Sequence, residues 1–124
     1  MRFMIEFDHV AIRVYDLDES INFYRKLGYQ LQEQFHHDKE YKWATLQLGA
    51  TRLEIFESLT TESSKIDHIA YNFDHEEEVL SMMNQFGYSK EELDIFYGDL
   101  NQKSFFIEDN SGLSIQFIKK HKNQ

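Results

Sequence analysis

The chain has 124 residues and no cysteine, so disulfides, thiolate metal ligands and cysteine nucleophiles are excluded, and its length suits one domain with a core of its own. Its 22 acidic and 13 basic residues give a net charge of −9, a field that repels phosphate backbones and excludes nucleic acid as a partner. No apolar run approaches the roughly 18 residues needed to cross a bilayer, and Met1 to Asp8 is too short and mixed for a signal peptide; a cytoplasmic protein without a membrane partner is the expectation.

The first element is a strand. Val10, Ile12 and Val14 alternate with His9, Ala11 and Arg13, the period of two that gives a strand two distinct faces. A helix follows, opened by the capping pair Asp16 and Glu19, striped by Ile21, Tyr24 and Leu27 with Phe23 beside them, and stopped at Gly28. Three strand-like runs come next, Gln30–Phe35, Tyr41–Leu48 and Arg52–Glu57. The chain has no proline, so its turns rest on Gly, Asn, Asp and Ser; Gly49-Ala50 joins the last two runs. His36-His37 lies in a charged stretch that reads as a hairpin tip. The polar segment Thr60–Lys65 is a connector.

After the connector the order repeats. Ile69, Tyr71 and Phe73 alternate with His68, Ala70 and Asn72. Asp74 and Glu77 have the spacing of a second capping pair, Val79, Leu80, Met83 and Phe86 form the second stripe, and Gly87 closes it. The runs Leu93–Tyr97, Ser104–Ile107 and Leu113–Ile118 follow, the last two joined by Asp109-Asn110-Ser111-Gly112. At one fixed offset of 59 residues Asp8 meets Asp67, His9 meets His68, Ala11 meets Ala70, Gly28 meets Gly87 and Tyr29 meets Tyr88. The chain is therefore read as a single domain, 1–124, of two βαβββ modules, about 4–59 and 64–119. One module buries one sheet face under its helix and leaves the other bare, so the two must pack together. Both histidines leave their strands on the face opposite the larger apolar set.

The last strand of each half sets a polar residue among apolar ones: Glu54 between Leu53 and Ile55, Gln116 between Ile115 and Phe117. Duplication thus puts His9, Glu54, His68 and Gln116 in matched places. Two imidazoles, a carboxylate and an amide oxygen form a donor set for a divalent metal ion such as zinc, nickel, manganese, cobalt or iron. The reading requires the two imidazole rings to lie within about 8 Å of each other, the reach of one ion. Trp43, on a central strand, reads as core or as lining of the same face. His75 and His121 receive no role.

The segments FDHVAIRVYDLDESINFYRKLGY, IDHIAYNF, RLEIF and EDNSGLSIQFI together resemble the vicinal-oxygen-chelate superfamily, which comprises glyoxalases, bleomycin-resistance proteins and extradiol dioxygenases. The resemblance runs from about Phe7 to Ile118. It implies an α+β fold, two tandem βαβββ modules forming a cup-shaped half-barrel mixed sheet with helices outside, around a divalent ion held by His9, Glu54, His68 and Gln116. It also implies substrate contacts from Arg13, a lining role for Trp43, a small-molecule substrate and a homodimer. The fourth family position usually holds glutamate, and Ser58 stands where an asparagine helps hold glutathione. Gln116 cannot act as a base, so Glu54 is the carboxylate left to move a proton. Two functions follow as expectations: a metal-dependent lyase or isomerase acting on a small oxygenated substrate, or a metal-independent binding protein of the bleomycin-resistance kind.

Overall fold

The computed structural model describes residues 5–36, 42–60, 63–89, 91, 93, 95–97 and 102–119. Its elements follow the sequence reading: β1 (Ile5–Val14), α1 (Leu17–Leu27), β2 (Gln30–His36), β3 (Lys42–Leu48), β4 (Thr51–Glu57), β5 (Lys65–Phe73), α2 (Glu76–Gln85), β6 (Ile95–Tyr97), β7 (Lys103–Glu108) and β8 (Ser114–Lys119). Tyr41, His37 and His121, named above, lie outside the described residues. The strands form an eight-stranded sheet in the order β2-β3-β4-β1-β5-β8-β7-β6. It is mixed: β1 runs parallel to β4, while β2–β3, β3–β4, β6–β7 and β7–β8 are antiparallel. The α+β class and the strand count are those read from the repeat. Among the described residues no helix is long and apolar enough to cross a membrane.

The residues gather into two compact units, His9–Ile69 and a second made of Met1–Asp8 with Ala70–Gln124. In the first, Val14, Leu17, Ile21, Ala44, Leu46, Leu53 and Ile55 form the buried cluster, with Val10 and Ile12 packed against it. Each large aliphatic there contributes roughly 1.5–3 kcal/mol by leaving water. Cutting fully buried Ile55 to alanine would cost about 2–5 kcal/mol. These residues are the even positions of β1, the odd positions of β4 and the even positions of β3, so one sheet face belongs to α1. The opposite face carries His9, Ala11 and Arg13 of β1 with their neighbours on β4 and β3.

Helix α1 meets its open N–H groups twice over. Asp16 Oδ1 accepts from the Glu19 N–H at 3.0 Å, and Glu57 Oε2, from the end of β4, accepts from the Leu17 N–H at 3.0 Å. At the other end Gly28 sits at φ 116°, and the Tyr29 N–H reaches back to the Tyr24 carbonyl at 3.0 Å, closing the helix with a left-handed turn.

In the second unit Phe73, Val79, Met83, Leu93, Phe105 and Phe117 make the core, and Tyr71 and Ile5 pack against it. Helix α2 corrects one expectation. The Asp74–Glu77 pair does not cap it; the N-cap is His75, which makes no side-chain cap bond. The helix starts at Glu76, so Asp74 lies one residue outside the capping place, and its backbone carbonyl instead accepts from Lys119 Nζ at 2.9 Å. The turn between β7 and β8 is held by Asp109, whose Oδ1 accepts from the Ser111 and Leu113 N–H groups at 2.8 and 2.9 Å.

Candidate metal centre

Three of the four matched polar residues lie in the first unit, and there they converge. His9 comes from β1, Glu54 from β4 and His68 from β5. Glu54 stands beside Ala11 in the parallel β1–β4 register, which puts its side chain on the face of His9 and away from the α1 core. His9 is 1% exposed, whereas Glu54 and His68 keep 18% and 13% side-chain exposure, so the cluster is mostly buried and its partial exposure is at Glu54 and His68.

The His9 and His68 rings meet edge to face with centroids 5.5 Å apart, well inside the reach the sequence reading demanded. His9 Nε2 is 3.4 Å from His68 Nε2 and 3.4 Å from Glu54 Oε1. One ligand atom from each of the three lies within 4.8 Å of the others. For bonds of about 2.1 Å to a tetrahedral ion, donor atoms stand about 3.4 Å apart, so both close pairs already have the spacing of a coordination shell. The donor chemistry fits as well. One proton cannot bridge two imidazole nitrogens and a carboxylate oxygen together, whereas a divalent cation can take lone pairs from all three.

The outer contacts orient these donors. His68 Nδ1 lies 2.8 Å from Asp67 Oδ2, so the carboxylate accepts the Nδ1 proton and Nε2 presents its lone pair to the cluster. The other oxygen of Asp67 accepts from Arg13 Nη2. The His68 hydrogen bond is the main reason that the Asp67 carboxyl is held below the usual aspartate range; partial burial opposes it and Arg13 adds to it. On the other side Arg52 Nη2 stands 3.7 Å from Glu54 Oε2, so the two oxygens of Glu54 have different neighbours.

Other sequence candidates fall as follows. Arg13 is tied to Asp67 and lies over the Phe56 ring at 5.8 Å, with 42% of its side chain exposed. Trp43 is buried, stacks on Phe35 at 4.4 Å and stands directly opposite Phe56 in the β3–β4 ladder; it shares the strand parity of Thr45 and so lies on the sheet face of Glu54, opposite the α1 core. Gln116 belongs to the second unit, on β8 opposite Phe106; it is buried, and its Oε1 accepts no hydrogen bond among the described residues. Its assignment as a ligand rests on the repeat and the resemblance alone. Asp67 was missed in the sequence although a signal was there: the repeat carries Asp-His in both copies, and an acid beside a ligand histidine is a candidate partner for its second nitrogen.

The family model of the Glyoxalase/Bleomycin resistance protein/Dioxygenase superfamily matches residues 6–117, and the chain belongs to that superfamily. Among curated proteins none matches significantly. Solved structures match over nearly the full length. The methylmalonyl-CoA epimerase from Mycobacterium tuberculosis is 20% identical with a TM-score of 0.75, covering 98% of this chain and 93% of that one. A hypothetical protein from Bacillus halodurans C-125 is also 20% identical, with a TM-score of 0.76 and coverage of 98% and 99%. A variant Streptomyces coelicolor methylmalonyl-CoA epimerase in complex with 2-nitronate-propionyl-CoA is 18% identical, with a TM-score of 0.71 and coverage of 97% and 100%. At these identities the likeness is one of fold.

Proposed function

We propose that the protein is a metal-dependent enzyme of the isomerase or lyase kind, acting on a small oxygenated substrate by proton transfer beside a carbonyl. The observation that carries this is the convergence of His9, Glu54 and His68, with ligand atoms within 4.8 Å of one another. The epimerases among the similar structures favour isomerase over lyase, and thioesters related to methylmalonyl-CoA are the first substrates to try.

A divalent ion bound by these three residues supplies Lewis acidity, which stabilises negative charge developing on a substrate oxygen. The chain supplies the rest. His9 and His68 would hold that ion, and Asp67 with Arg13 keeps the His68 ring in one tautomer. Glu54 has two distinct oxygens: Oε1 faces His9, and Oε2 faces Arg52 at the edge of the cluster, where it would take a proton from the substrate carbon and deliver it to the adjacent carbon. A homodimer belongs to the same reading, carried by the resemblance.

The test is metal content and proton exchange together. Protein purified without chelator should hold a divalent ion and gain thermal stability when nickel, zinc, manganese or cobalt is added. Glu54→Gln should keep part of the metal affinity yet lose exchange of the substrate α-proton with deuterated water. A wild-type protein that neither holds nor responds to any of these ions, while still binding small molecules in the presence of chelator, would make it a binding protein instead.

A further inference from the structure

One buried polar group on the strand next to Glu54 makes no hydrogen bond among the described residues. Thr45, on β3, is 1% exposed, and its Oγ1 has no hydrogen-bond partner among the described residues. In the β3–β4 ladder it stands directly opposite Glu54. Directly opposed residues present their side chains on the same sheet face, and the neighbours Ala44 and Leu46 point the other way into the α1 core. The hydroxyl is therefore on the face of His9 and Glu54, at the strand position next to the proposed proton carrier. It can donate and accept, yet no group among the described residues takes up either role. Leaving a buried hydroxyl unpaired costs folding free energy. Valine has the same branched shape and suits a strand equally well, so packing alone gives no reason for threonine here.

We propose that Thr45 is a ligand-contact residue: its hydroxyl donates a hydrogen bond to an oxygen of the small molecule that the metal cluster holds. The assignment rests on the metal-centre reading and adds a selection rule to it. A site that offers a buried donor accepts molecules with an acceptor oxygen at that place and rejects analogues that carry a methyl or hydrogen there, because the donor would stay unpaired. The preferred ligands are thus chelators with a further acceptor oxygen, such as a carboxylate or a second carbonyl.

The experiment compares wild type, Thr45→Val and Thr45→Ser, with nickel as the metal and oxalate as the probe. Without metal, Thr45→Val should melt about 3 °C or more above wild type, since it removes an unpaired buried hydroxyl. Its nickel affinity should stay within about twofold of wild type, while the nickel-loaded variant binds oxalate about tenfold more weakly. Thr45→Ser should retain oxalate binding. If Thr45→Val melts below wild type, the hydroxyl is already satisfied in the free protein and the assignment fails. Normal nickel uptake with unchanged oxalate affinity in Thr45→Val, or no oxalate binding by the nickel-loaded wild type, overturns the assignment alone. A wild type that takes up no nickel overturns the metal centre itself and this assignment with it.

Discussion

Asp16 and His75 occupy the same place in the two copies of the repeat, and each is the N-cap of its helix. The first caps with its carboxylate; the second makes no side-chain cap bond. The first copy adds Glu57 on the Leu17 N–H and places Arg25 and Lys26 in the last turn, where cations complement the helix dipole. The second has Glu76, Glu77 and Glu78 in its first turn and no basic residue in its last. Both helices nevertheless start at matched positions. The boundary is set by the buried stripe that packs on each sheet, and capping chemistry refines its stability. The strands before the helices differ in the same manner. Both carry Asp-His, but Asp67 takes the ring of its own His68 together with Arg13, whereas Asp8 accepts from Asn72 at 3.4 Å.

Substitutions can break or sharpen this comparison. The largest effect is expected from His9→Ala and His68→Ala. If the two copies contribute equally to one ion, each should lower metal affinity by about a thousandfold or more, since apparent binding energies of such sites are about 10–16 kcal/mol shared over few ligands; competition titration with a chromophoric chelator measures this. Asp67→Asn should weaken metal binding by about 10–100-fold in the same titration, because the ring loses its anionic partner. Asp16→Ala should destabilise the fold by about 1 kcal/mol in urea unfolding. His75→Asp should do the reverse, adding about 0.5–1 kcal/mol by giving α2 the cap that its counterpart has. The smallest effect concerns Asp109, whose carboxyl is held below the ordinary aspartate value of 3.8 chiefly by the Leu113 N–H and then the Ser111 N–H, against a small cost of burial. A lowered folded-state value means that its contribution is complete above 3.8 and is lost as pH falls through that lowered value. Asp109→Ala should flatten the fall in stability across the acid range, measured by unfolding at a series of pH values.

Much of this was legible in the letters. The repeat, with the apolar runs and turns between its anchors, placed every strand to within a few residues, and period-two alternation told the core face of β1 from the face of His9. Glu54 could be found because a carboxylate between Leu53 and Ile55 must lie opposite the core. The capping error on α2 came from preferring the better capping residue, Asp74, over the offset, which points to His75. Contacts that depend on register and on individual ring nitrogens were not legible. The Arg13–Asp67 pair and the Glu57 cap on Leu17 join residues far apart in the chain, and the place of Thr45 opposite Glu54 is likewise decided by strand pairing rather than by local pattern.

The two-residue turn Gly49-Ala50, with Leu48 paired to Thr51 and Gly49 at φ 57°, sets the parity of β4. Successive side chains on a strand face opposite ways, so one residue inserted between Thr51 and Leu53 would aim the Glu54 carboxylate into the oily layer beneath α1 and turn Leu53 to the face of His9. The same insertion placed within the turn would leave the orientation of Glu54 open to rescue by a looser loop. Chemistry at this site is thus written in a reading frame of two, and the tight hairpin is its start signal.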